Sequence, residues 1–133
     1  VGDTTKEELV NYWIETLDRD FLTMQNLFES GDYHWALFMG HLLIEKLLKA
    51  FYVRTIDINP PFMHNLLRLA EKTNLNLSEE EKDFLLLLTT FNIKARYGDY
   101  KREFYKKCTK EYTDVNIRKI KEFRLWIKKE LNK

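Results

Sequence analysis

The apolar positions of this chain recur at helical spacing along most of its length. Val10, Ile14, Leu17, Phe21, Met24 and Phe28 alternate steps of four and three, which makes one stripe of an amphipathic helix. Thr5 and Glu8 fit a capping box at its start, and Gly31 supplies a residue that commonly stops a helix. Asp32 reads as the cap of a second helix running to about Arg54. There Leu37, Phe38, Met39, Leu42, Leu43, Ile44, Leu47, Leu48 and Phe51 cover nearly the whole circumference. A helix apolar on all sides is buried on several, so this segment is expected at the centre of the fold or in a dimer interface. Residues 55–62, TIDINPPF, form a loop stopped by Pro60 and Pro61. A short third helix is expected over about His64 to Thr73. Ser78 and Glu81 make a second capping box, opening a fourth helix through FLLLLTTF toward Ala95. The stretch RYGDYKREFYKKCTKEYT then breaks the period and reads as a loop. Thr113 or Asp114 is expected to cap a last helix with Ile117, Ile120, Phe123, Ile127 and Leu131 turned inward. The pattern predicts an all-α fold, a five-helix antiparallel up-and-down bundle, with residues 1–133 as a single domain.

Composition supports helices and removes other classes. The chain is 44% hydrophobic and 32% charged, too apolar for disorder and too charged for a membrane protein. Its 4 Gly and 2 Pro are too few for the frequent turns of an all-β domain. No apolar run approaches the roughly 18 residues of a membrane span, so no membrane association is expected. The opening VGDTTKEEL is polar and acidic, unlike a signal peptide, and Cys108 is a lone thiol. Both point to a cytoplasmic setting.

Charge changes the picture more. The net charge of +1 hides an asymmetry: residues 1–93 hold 8 basic and 15 acidic side chains, and residues 94–133 hold 14 and 6. One reading is internal, an acidic first helix lying against a basic last helix; the other is a basic face for phosphates. Arg96, Lys101, Arg102, Lys106 and Lys107 sit among Tyr97, Tyr100 and Tyr105. Cations beside stackable rings suit single-stranded RNA or a nucleotide; the alternative is a solvated loop with its tyrosines packed edgewise on the bundle. No GxxxxGK[ST] phosphate cradle is present.

His34, His41 and Glu45 share one helical face. His34 and His41 lie two turns apart, roughly 10 Å by helical rise, too far to share an ion. No metal and no cofactor is therefore expected, and the row reads as a polar stripe in a buried interface. His64 reads as a helix-start residue bonded to backbone or carboxylate, or as one facing a cleft with His41, Glu45 and Lys49. Trp13, Trp35 and Trp126 fall on apolar stripes and read as core. Cys108, within KKCTK, is either a thiol of lowered pKa or incidental.

Three stretches in order resemble the HEPN family. YHWALFMGHLLIEKLLKAFYVR is similar to the family's long second helix with its EK-x-x-KA core, here Glu45, Lys46, Lys49 and Ala50. PPFMHNLLRLAEK is similar to its Pro-rich loop and His–polar–Leu helix start, here His64, Asn65 and Leu66. NIKARYGDY is similar to its "aRYP" segment, here Ala95, Arg96 and Tyr97. The resemblance implies a helical bundle that often forms a homodimer and accompanies a nucleotidyltransferase subunit. It also implies kinship with metal-independent RNases, some of them toxins of toxin–antitoxin systems. Those enzymes carry an Arg followed roughly four to six residues on by a His. Here positions 100, 101 and 102 are Tyr100, Lys101 and Arg102, and position 97 is Tyr97. Without that imidazole the proton shuttle is missing, and Tyr100, with an ordinary pKa of about 10, is a poor replacement. The expectation is a non-catalytic domain that binds phosphate through Arg96, Tyr97, Tyr100, Lys101 and Arg102. The alternatives are an RNase toxin using Arg96 with Tyr100, and a dimeric scaffold without ligand.

Overall fold

A computed structural model describes residues 5–97 and 102–133. Among them the regular secondary structure is all helix: α1 (Lys6–Glu29), α2 (Tyr33–Thr55), α3 (Leu66–Glu71), α4 (Glu79–Tyr97), α5 (Glu103–Lys107) and α6 (Lys110–Leu131). No helix among them is long and apolar enough to cross a membrane.

The local signals act largely where the side chains predict. The Glu8 amide donates to Thr5 Oγ1 at 3.1 Å. Ser78 and Glu81 satisfy each other's backbone amides at 2.8 and 3.1 Å, a complete capping box. At the end of α1, the Gly31 amide donates to the Phe28 carbonyl and the Asp32 amide to that of Leu27. This pair of bonds requires the left-handed backbone of Gly31, φ 84°. Asp32 differs from expectation: it occupies the cap position of α2 without a side-chain cap bond, and its carboxylate accepts from Ser30 Oγ instead.

α2 is the centre of the molecule. Ala36, Leu37, Leu43, Ile44, Leu47, Leu48, Ala50 and Val53 are fully buried, because α1, α4 and α6 all pack on this one helix. Most of its apolar surface is therefore covered within the one chain. Lys46–Asp20 at 2.6 Å and Arg54–Glu7 at 3.6 Å hold α1 antiparallel to it. α4 is also antiparallel: Arg96 near its end lies over Phe38, and residues 74–76 just before it lie beside Phe51 and Thr55. α6 runs the other way, parallel to α2, since Ile120 meets Gly40 and the Leu131 carbonyl accepts from Arg54.

Among the described residues the helices number six because the cationic stretch expected as a loop contains α5. Phe104 and Cys108, one turn apart, are buried, and Phe104 packs on Phe91 with ring centroids 5.4 Å apart. Those two apolar positions suffice for one turn of helix, and the surrounding lysines hide them in the sequence. α6 also begins earlier than expected. Thr109 caps it by accepting from the Tyr112 amide at 3.1 Å, and Thr113 is buried inside its first turn. α3 is shorter than predicted, with Asn65 as its cap.

Candidate functional site

One face of α2 carries the polar positions of an otherwise apolar helix, and two other elements close over it. Steps of four, three, four and four take that face from His34 through Phe38, His41 and Glu45 to Lys49. The end of α4 delivers Arg96 to the Phe38 end. The Pro-rich loop delivers Phe62 and His64 to the Glu45–Lys49 end.

At that second end Glu45, almost fully buried, gathers nitrogens from two elements. His64, with its Nδ1 protonated, donates to Glu45 Oε1 at 2.9 Å, and Lys49 Nζ donates to Oε2 at 3.2 Å. The Lys49 ammonium also lies 5.5 Å from the Trp13 ring and 5.9 Å from that of Phe62. The rings therefore offer cation–π contact to an ammonium that is largely buried. His41 is fully buried, its Nε2 3.4 Å from the His64 carbonyl and 3.8 Å from Glu45 Oε1. Donation to that carbonyl makes Nδ1 the bare nitrogen, and Nδ1 meets no donor among the described residues. Burial holds the His41 pKa below the ordinary imidazole value; Glu45 opposes this, and Arg96 adds to the depression. His41 is thus a neutral ring standing between the Arg96 end and the Glu45 end. The four residues proposed for a cleft do meet, but His41, Glu45 and Lys49 are buried, and only His64, its side chain 52% exposed, opens to solvent.

The Arg96 end is a different surface. Arg96 Nε donates to the Asn92 carbonyl at 3.1 Å, which fixes the guanidinium 5.0 Å from the Tyr97 ring and 5.8 Å from Phe38. Phe38 meets Trp35 edge-on at 5.8 Å, Trp35 meets His34 at 5.0 Å, and His34 meets Tyr105 at 5.3 Å. Arg102, at the start of α5 with a left-handed φ of 56°, lies 4.0 Å above Tyr105. The outcome is an unbroken run of rings with a guanidinium toward each end. Tyr97, Tyr105 and Trp35 are 69%, 51% and 39% exposed. Burial lowers the His34 pKa; Asp32 opposes this and Arg102 adds to it.

Trp35 corrects the sequence reading, which assigned it to the core. It sits beside the apolar row of α2 on the side that α1, α4 and α6 leave open, and a helix apolar all round conceals that side. Trp13 and Trp126 do pack against the core. Tyr100 and Lys101 lie outside the described residues. Among those described, no group of three His, Cys, Asp or Glu is placed to hold a metal ion. Burial pushes the Cys108 thiol up to about 11, only partly offset by Lys107, so the lowered pKa considered for it is not found.

The family model of the HEPN domain matches residues 10–131. The chain belongs to the HEPN family. No curated protein and no solved structure matches it. In this HEPN chain the three stretches of family resemblance meet α2 at two ends of one face: His64 of the loop joins Glu45 and Lys49 at one, and Arg96, with Tyr97 beside it, lies over Phe38 at the other. Trp35, Phe38 and His34, which sequence reasoning left out of the phosphate-binding set, extend that site toward α5. The available signal was the pair His34–Trp35 in the first turn of α2, four and three residues before Phe38.

The two readings of the charge asymmetry apply to different residues. Asp18 of α1 takes both Arg124 at 3.1 Å and Lys128 at 2.7 Å from α6. Burial alone would raise the Asp18 carboxyl, yet the two cations hold it below the usual carboxylate value. Arg96 and Arg102 instead lie against rings.

Proposed function

We propose that this HEPN domain is a non-catalytic binding and regulatory module whose ligand is a nucleotide or single-stranded RNA. The observation that carries the reading is the run of rings Phe38–Trp35–His34–Tyr105, with Arg102 over Tyr105 and Arg96 between Phe38 and the exposed Tyr97. Rings stack bases without regard to sequence, at about 1–3 kcal/mol per base, while guanidiniums meet phosphates. Family resemblance adds a nucleotidyltransferase as the protein partner that such a module would serve.

The test is fluorescence anisotropy with a labelled single-stranded RNA over a salt series. About three phosphate contacts give a log–log slope near −2, and Arg96→Ala flattens it by about 0.7. Trp35→Ala weakens binding by about five-fold to a hundred-fold, the equivalent of one stacked base, with little change in slope. Absence of binding at low salt would remove the reading.

A second reading, a metal-independent RNase using Arg96, is favoured by one contact. Glu45 orients the His64 imidazole, the type of side chain that moves protons near neutral pH and that the segment after Arg96 lacks. RNA cleavage in EDTA that is lost in both Arg96→Ala and His64→Gln would replace the first reading with this one.

A further inference from the structure

At the opposite end of the bundle from the ring cluster, α4 and α6 leave a groove between them. Both helices pack on α2, and they meet through Phe84 and Phe123, whose ring centroids are 6.2 Å apart. Around that contact lies a hollow of about 700 Å³. Its floor is the buried Phe84 and Phe123 with the half-buried Leu87 and Trp126, and its rim is Glu80, Asp83 and Glu122, all exposed. A further hollow of about 500 Å³ shares Trp126 and continues beside Phe51 and Thr55, past Asn74 and Asn76. From Lys119 to Lys133 the groove follows α6 for roughly 21 Å by helical rise, the span of about six extended residues. Its charge is one-sided. Glu80, Asp83 and Glu122 meet no cation among the described residues, although the other side of α6 gives both Arg124 and Lys128 to Asp18. Lys119, on the wall of the first hollow, lies 5.8 Å from the Phe84 ring instead of on a carboxylate, so the floor accepts a cation as well as apolar surface. In the second hollow Glu130 is already neutralised by Lys133 at 3.0 Å. The side-chain amides of Asn74 and Asn76 and the indole N–H of Trp126 make no hydrogen bond among the described residues, so each can pair with a polar group laid over it.

We propose that this groove docks an extended basic segment of a partner protein. Charge complementarity selects the occupant. Unpaired carboxylates above an aromatic floor suit arginine or lysine, which lay their methylene stems on the rings and hold the charged head at the rim. The same carboxylates repel phosphates, so the occupant is not a nucleic acid. The free amides and the indole N–H select an extended chain over a helix, because a helix has already spent its backbone groups on itself. Alternate side chains of an extended segment face the same way. Cations at alternating positions therefore follow the acidic rim, and an apolar residue next in the series falls on Trp126. The contact is small, so docking is transient, with an affinity on the order of ten micromolar. The inference is independent of the ligand reading, because the groove shares no residue with the Arg96 end.

The full chain is first applied to an array of random hexapeptides. The retained peptides are expected to carry arginine or lysine at alternating positions and to exclude glutamate. Fluorescence anisotropy then uses one labelled hexapeptide, in which arginine, arginine and leucine alternate with serine, beside a counterpart with glutamate for arginine. The basic peptide binds and weakens by at least about threefold from low to physiological salt, as exposed ion pairs do. Asp83→Lys and Glu122→Lys each weaken it by at least about threefold, and Asn76→Ala by about twofold to tenfold through a lost hydrogen bond. These three side chains are exposed, and unchanged thermal midpoints show that the variants fold. Arg96→Ala leaves peptide binding unchanged. An array without enrichment in cations, a glutamate peptide that binds equally well, or an affinity indifferent to both charge reversals overturns the proposal. Weakening by Arg96→Ala would move the peptide to the ring cluster, and displacement by spermidine at lower concentration than by the peptide itself would make the occupant a small polycation; either result also sinks it.

Discussion

Replacing Gly40 by alanine in the middle of α2 should destabilise the protein, although helix propensity alone says the reverse. In an unconstrained helix interior, Gly→Ala stabilises by about 0.5–1 kcal/mol. Here a β-carbon would fall on Ile120 Cδ1, well inside van der Waals contact, with Met24 Sδ 3.4 Å away. Ile120 and Met24 are both fully buried, so neither can swing clear into solvent. Overpacking of a filled core costs about 1–3 kcal/mol. Subtracting the propensity gain leaves a net loss of about 1 kcal/mol, or roughly 3–5 °C in midpoint for a chain of this size. The diagnostic is a cycle with Ile120→Val, which removes the obstructing methyl. Alone it costs about 0.5–1.5 kcal/mol. Combined with Gly40→Ala it should cost less than the sum of the singles by about 1 kcal/mol, measured by urea denaturation. A higher midpoint for Gly40→Ala, or single effects that simply add, would refute the close approach of α2 and α6 as the reason for this glycine.

Two further outcomes follow from buried titratable groups. Burial lowers the His41 pKa beneath its unfolded value of about 6.5, so the stability tied to its neutral form is full above that pH. It is lost as pH falls toward the folded pKa, with a slope of up to about 1.4 kcal/mol per unit. His34 adds a smaller contribution of the same sign because it is less buried than His41. His41→Gln should flatten the fall in urea midpoint below about pH 6.5, and an unaltered profile would count against the assignment. The Cys108 thiol, pushed up to about 11, should alkylate slowly in the folded protein at mildly alkaline pH and readily once denatured. Equal rates in the two states would show that it is not buried.

Much of the fold is legible in local chemistry. The Thr5 and Ser78 caps, the Gly31 stop and the stripe of α1 need only neighbouring residues, and sequence places them correctly. α5 is illegible for a local reason, since two apolar residues among lysines fall below the length at which a period can be recognised. The start of α6 is shifted because Thr113 reads as a cap until its burial inside the first turn leaves the capping to Thr109. The central helix shows a deeper limit. A helix apolar all round says that its sides are covered but not by what, so a dimer and a monomer core look alike. Trp35 was misplaced for the same reason. The polar face His34–His41–Glu45 is readable from its spacing. That His64 returns to Glu45 across a proline loop is not, because that contact depends on how the rest of the chain folds.

The parallel pairing of α2 with α6 has a consequence in time. The α1–α2 hairpin can close as soon as residue 55 is made, but the flank of α2 around Gly40 waits for the helix that ends at Leu131. At roughly 5–20 residues per second, synthesis leaves that apolar flank uncovered for about 4–15 s. During this interval the nascent hairpin is a sticky surface, shielded only by what the cell places on it.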